Sequence, residues 1–249
     1  MAARPLQDNR PVEPNLDKSD TQSDPTNIGS TPCFARSENI IVYVGADKAK
    51  YFVHQDILVS KSQFFETFLR AGIKEQHEGV VGLPEDDPAV FDFVVRWMYT
   101  GELPPADSAL WHVYRLAEKL CMPDLENALI DAFKAKCQWC LPRPLIVMWA
   151  WKNLPKGSKF RELVFDQLCY QIAKNPRIYL NRPWAGATTL TPGTLKADLE
   201  EMLEEGGSLA SDFFFHVTKF ANFNSALMVD PSNDPSNSYH VDANGKGRR

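Results

Sequence analysis

The chain has 249 residues, 44% hydrophobic and 11% aromatic, enough for a sizeable core, and a formal net charge of −5. That charge, with a pI near 5.6, argues against a phosphate-tracking nucleic-acid surface, which needs clustered Lys and Arg. The longest apolar run, Leu145 to Trp151, is seven residues, where a bilayer span needs about 20.

No apolar stretch follows Met1-Ala-Ala-Arg-Pro5, so no secretory signal is expected. The cysteines, Cys33, Cys121, Cys137, Cys140 and Cys169, are odd in number and scattered, unlike a disulfide framework. A soluble chain of the cytoplasm or nucleus is the expectation.

Residues 1–37 place five prolines among Asp, Asn, Ser and Thr. With almost nothing apolar to bury, such a segment cannot offset its ordering entropy and is expected to be disordered. Ile40 to Val44 is a β-branched and aromatic run stopped by Gly45-Ala-Asp-Lys48, a strand and a turn, with Lys50 to His54 as its partner. A helix carrying Ile57 and Leu58 follows. Ser62 is placed to cap a second helix bearing Phe64, Phe65, Phe68 and Leu69.

Gly79 to Leu83 reads as a further strand. Asp87-Pro88 opens a helix, a carboxylate cap before a proline whose missing N–H costs nothing there. Phe91, Val94, Val95 and Met98 line its inner face and Gly101 ends it. Asp107 or Ser108 caps a helix with Leu110, Val113, Ala117 and Leu120 on one face. Pro123 starts another, with Leu125, Ala128, Leu129 and Phe133 inward. Short strands followed by stacked helix pairs make this an α+β domain.

The remainder reads as helical: Leu145, Met148 and Trp149; then Phe160, Leu163, Val164 and Leu168; then a helix opened by Thr191-Pro192 with Leu195, Leu199, Met202 and Leu203; last, Phe213 to Phe223. A Pro/Gly-punctuated loop is expected near 181–193. Residues 230–249 resemble the first segment in composition and are expected to be a disordered tail with a solvated basic end.

Catalytic constellations are not legible. His54 stands where a strand becomes a helix, and its ring is expected to bond backbone groups left open at that junction. Ser62 lacks a Gly-x-Ser-x-Gly elbow. Cys137-Gln-Trp-Cys140 is a single Cys-x-x-Cys pair without the second pair or nearby histidines that zinc needs, and it follows a long helix rather than opening one. Packing is the expected role of both cysteines. No glycine pattern matches a nucleotide fingerprint. Neither a metal, a cofactor nor an enzymatic role is expected.

Three fragments carry a resemblance. Phe52-Val-His54, Leu58, Ser62 and Phe65 form the first; Phe91 through Trp97-Met-Tyr99-Thr100-Gly101 the second; Leu116-Ala117-Glu118-Lys119-Leu120 with Met122 and Leu125 the third. In this order and spacing they resemble the BTB/POZ family, and the layout is similar to the short BTB proteins of filamentous fungi. The resemblance implies a small sheet flanked by stacked helical hairpins over 38–137, followed by an all-α extension over 138–229. It makes Phe52, His54, Leu58, Ser62, Phe65, Phe91, Tyr99, Gly101, Leu116 and Ala117 core and cap residues.

It also implies that the partners are other proteins, with self-association and docking onto cullin scaffolds of ubiquitin ligases as family properties. The family's apolar–any–glutamate cullin contact corresponds to Ile73-Lys74-Glu75. The Asp/Pro-rich amino-terminal stretch argues against a strand-exchanged dimer. Three readings stay open: an adaptor or scaffold, a transcriptional or chromatin-associated BTB protein, and an enzyme with a site in the helical extension around Trp184, His216 or Asp212.

Overall fold

Three strands form the sheet. β1 (Asn39–Val44) pairs antiparallel with β2 (Ala49–His54), and parallel with β3 (Val80–Leu83), giving the order β2-β1-β3. The β1–β2 connection turns at Gly45, in the left-handed region at φ +78°, and closes with a Lys48 N–H donated to the Gly45 carbonyl at 3.1 Å. Strand alternation sends Ile40, Val42, Val44, Val53, Val81 and Leu83 into the core. The computed structural model describes residues 37–71, 79–104, 107–138, 140–181, 195–222 and 229–245.

The helices come in chain order: α1 (Gln55–Lys61), α2 (Gln63–Arg70), α3 (Pro88–Thr100), α4 (Asp107–Lys119), α5 (Pro123–Cys137), α6 (Pro144–Asn153), α7 (Lys159–Lys174), α8 (Ala197–Glu204) and α9 (Gly207–Asn222). Local chemistry sets several ends. Asp87 accepts the Ala89 N–H at 2.8 Å with Pro88 in the first turn of α3. Gly101, at φ +73°, ends that helix with its N–H on the Trp97 carbonyl. Inside α3 the buried set is Phe91, Val94, Trp97 and Met98, so Trp97 takes the place expected for Val95, which is only partly buried.

One hydrophobic cluster runs from the sheet through α5 into α6, α7, α8 and α9. Where α7 begins, Phe160 stacks on Tyr114 of α4 at 4.9 Å and meets Phe133 of α5 edge-on at 5.1 Å. The extension is thus packed into the same core as the strands. Among its helices, α8 starts at Ala197, and Leu195 lies before it in an isolated bridge to Leu180. The expected helix start at Thr191-Pro192, and most of the expected 181–193 loop, lie outside the described residues.

The end of the chain departs from its composition. Residues 229–245 carry a 3-10 turn, Pro231–Asn233, and lie over α5 and α7 instead of forming the expected tail. Asn127 supplies both halves of a backbone mimic, donating to the Val241 carbonyl at 3.0 Å and accepting the Val241 N–H at 2.8 Å. Gln167 accepts the Ser232 N–H at 2.9 Å, and Lys134 donates to the Asp234 carbonyl at 3.0 Å. A polar segment with few apolar groups is held because its backbone polar groups find buried side-chain partners. Val241, Pro231 and Ser232 are buried in consequence.

Candidate interaction surfaces

Leu58, Phe65, Phe91, Leu116 and Ala117 are buried in the core. Ser62 is buried and works twice. Its hydroxyl accepts the Phe65 N–H at 3.2 Å, capping α2, and donates to the Leu120 carbonyl at 2.6 Å, tying α2 to the end of α4. Ser62→Ala is expected to cost about 1–2 kcal/mol, because a cap is lost and a buried carbonyl is stranded. Urea unfolding of the full chain measures this; a change under about 0.3 kcal/mol would contradict the double role.

Phe52 and Tyr99 are not core residues. Phe52 is 62% exposed, with Lys50 Nζ over its ring at 4.7 Å from the centroid. Register explains it: Phe52 pairs with Ile41, whereas the inward positions pair Val53 with Ile40. Tyr99 is 44% exposed, and its hydroxyl bonds His54 twice, at 2.7 Å to Nδ1 and 3.2 Å from the backbone N–H. At the β2–α1 junction the His54 ring thus meets the Tyr99 phenol. Tyr51 adds a second tie between sheet and α3, its hydroxyl 2.8 Å from an Asp92 oxygen and 3.0 Å from the Pro88 carbonyl.

The Ile73-Lys74-Glu75 contact lies outside the described residues. Strand β2 is an edge of the sheet, with Phe52 on it and no strand beyond it among the described residues. Residues 36–136 match the family model of the BTB/POZ domain. This segment is a BTB/POZ domain. BTB/POZ domains are protein–protein interaction modules. Among solved structures, the BTB domain of human gigaxonin is similar, at 17% identity and a TM-score of 0.33 over 39% of this chain and 77% of that one. Comparison with curated proteins found no match.

Outside the BTB/POZ domain, a cleft of about 400 Å³ opens among α6, α7 and α9. Trp151, Lys156, Arg161, Glu162, Phe165, Asp166, Asp212 and His216 line it, so His216 and Asp212 are brought together while Trp184 lies outside the described residues. His216 Nδ1 is 3.2 Å from an Asp166 oxygen, and Tyr239 donates to the other at 2.9 Å. Among the described residues that line the cleft there is no Ser, Thr or Cys.

Burial, followed by the charge of Asp230, pushes the Cys137 thiol up to about 12, which leaves it protonated at neutral pH; Cys140 is exposed. Among the described residues, no cluster of three or more His, Cys, Asp or Glu is placed to hold a metal, and no helix is long and apolar enough to cross a membrane.

Two features escaped the sequence reading. One is the Arg161–Trp151 stack in the cleft, for which the sequence offers no local signal. The other lies at the seam between the BTB/POZ domain and α7. Glu126 is 3% exposed, with Tyr114 Oη 3.5 Å from its carboxylate, and the Phe160 N–H donates to that same hydroxyl at 3.4 Å. The buried Ser158 hydroxyl sits beside Glu118 and Tyr114 without a well-aligned hydrogen bond. Burial, then the neighbouring Glu118, pushes Glu126 up to about 7. Its position was readable: Glu126, Ile130, Phe133 and Cys137 follow one helical face.

Proposed function

We propose that this chain is an adaptor or scaffold whose BTB/POZ domain docks other proteins, and that its partner is a cullin-type scaffold of a ubiquitin ligase. The family match over residues 36–136 carries this reading. Ile73-Lys74-Glu75, between α2 and β3, supplies an apolar anchor beside a carboxylate, the arrangement of a buried contact with a charged rim. The helical extension shares the domain's hydrophobic cluster and adds a second face for a client protein.

Capture of a purified cullin amino-terminal domain by the full chain tests the cullin contact. Binding by the wild type, weakened at least tenfold by Ile73→Ala with Glu75→Ala, is the expected result. Equal capture by both, or by neither, removes cullin as the partner while leaving the interaction module in place.

A further inference from the structure

We propose that the cleft among α6, α7 and α9 captures the C-terminal carboxylate of a partner polypeptide that ends in an aromatic residue. This rests on the reading of the chain as a protein-docking adaptor and names the chemistry of one class of client.

Arg161 carries the argument. It is 8% exposed, yet it lines the cleft. Its guanidinium carbon lies over the Trp151 ring, 3.8 Å from the centroid, a cation–π contact that positions the group. Nη1 donates to the Leu154 carbonyl at 3.0 Å. Among the described residues no ion pair engages the group; Asp212 acts on it only through space. A guanidinium that lines a cleft, stacked on an indole and without an ion pair among the described residues, suits a planar oxyanion, which such a group can grip bidentately. Lys156, exposed at the same rim, adds a second cation.

Three carboxylates share this cleft, and their commitments decide what else the ligand must carry. Glu162 is taken by Lys159 at 2.7 Å, and Asp166 by His216 and Tyr239. Asp212 is the acid left to accept from a ligand, and the N–H of a terminal residue is a donor one bond series away from its own carboxylate. Between these poles stand Phe165, Trp151 and His216, with ring centroids 5.3 Å apart for Trp151–Phe165 and 5.0 Å for Phe165–His216. That wall suits an aromatic side chain.

A peptide rather than a free amino acid follows from what lies beyond the cleft. Phe215, three residues on from Asp212 along α9, is 72% exposed and offers apolar contact to the residues that precede a terminus.

The test uses the full-length chain and three probes: N-acetylphenylalanine, its C-terminal amide, and free phenylalanine. Backbone amide shifts of residues 156–166 and the Trp151 indole N–H are followed by NMR. N-acetylphenylalanine is expected to saturate with a Kd on the order of 1 mM, in keeping with a fragment of its size. The amide should bind at least tenfold more weakly. Lys156→Ala, on an exposed side chain that leaves the core intact, should weaken the acid at least threefold, and Arg161→Lys should weaken it further with the fold preserved in the spectrum.

Equal binding of acid and amide overturns the proposal, as does an absence of shifts at 20-fold that concentration. Tighter binding of free phenylalanine than of its acetyl derivative also overturns it, in favour of an amino-acid site. A failed titration beside intact cullin capture removes the cleft alone, whereas failed cullin capture beside a successful titration leaves the cleft standing.

Discussion

Phe160→Ala is expected to destabilise the full chain by about 3–5 kcal/mol, the range for deleting a fully buried aromatic side chain. Phe160 is fully buried, stacked on Tyr114 and edge-on to Phe133. It therefore joins the first turn of α7 to both α4 and α5. Loss of the ring leaves a cavity at the seam between the BTB/POZ domain and its extension, with the Tyr114 ring deprived of its stacking partner.

Because one hydrophobic cluster spans both parts, the chain should unfold in a single transition whose midpoint moves to lower urea. Tryptophan fluorescence and far-UV circular dichroism should trace the same curve. If the variant instead shows an early transition for the helices and an unshifted one for the rest, the shared core is not what holds the extension. Phe215→Ala is the control, since an exposed side chain should change stability by less than about 0.5 kcal/mol.

The second large effect is a pH dependence with an unusual sign. The folded chain holds Glu126 at about 7, raised from an ordinary value of 4.5. Between those values the native state keeps a proton that the unfolded chain has released. Stability must then fall as pH rises through that window, and it is fully lost from this source above it. A displacement of this size corresponds to about 3 kcal/mol at about 1.4 kcal/mol per pKa unit. Glu118, raised by burial, acts in the same direction.

The groups around the carboxylate offset its charge only in part: the Tyr114 hydroxyl stabilises the ionised form, but burial and Glu118 outweigh it, and the Cys121 thiol is itself pushed up, by burial and then by Glu126. Glu126→Gln keeps the shape and removes the titration. Urea midpoints measured from pH 4.5 to 8 should decline steeply for the wild type and less for the variant, in which Glu118 still titrates, and the variant becomes the more stable of the two at pH 8. Parallel profiles for the two proteins would contradict a neutral carboxyl at the seam.

The sequence made the BTB/POZ segment readable because its pattern is also a packing pattern. Leu58, Phe65, Phe91, Leu116 and Ala117 stand at inward positions that helix period alone selects, and Asp87-Pro88 and Gly101 carry their end-of-helix chemistry locally. Phe52 and Tyr99 show the limit of a signature. Strand parity, with Val53 inward opposite Ile40, already turns Phe52 outward.

Residues 229–245 were misread for a different reason. Composition reports how much apolar surface a segment can bury, and says nothing of Asn127 and Gln167, more than 60 positions away, that satisfy its backbone. The cleft was hidden likewise, since Trp151, Arg161, Asp212 and His216 come together only through the packing of three helices. Long-range polar pairing leaves no periodic mark.

Protein docking by residues 36–136 is tested most directly by cross-linking the tagged full-length chain in its own cells, purifying it and mapping the linked peptides by mass spectrometry. A partner protein recovered near equal amounts, with its cross-links concentrated on the BTB/POZ domain, is the predicted result. Recovery of the chain with no partner linked to that segment would contradict it.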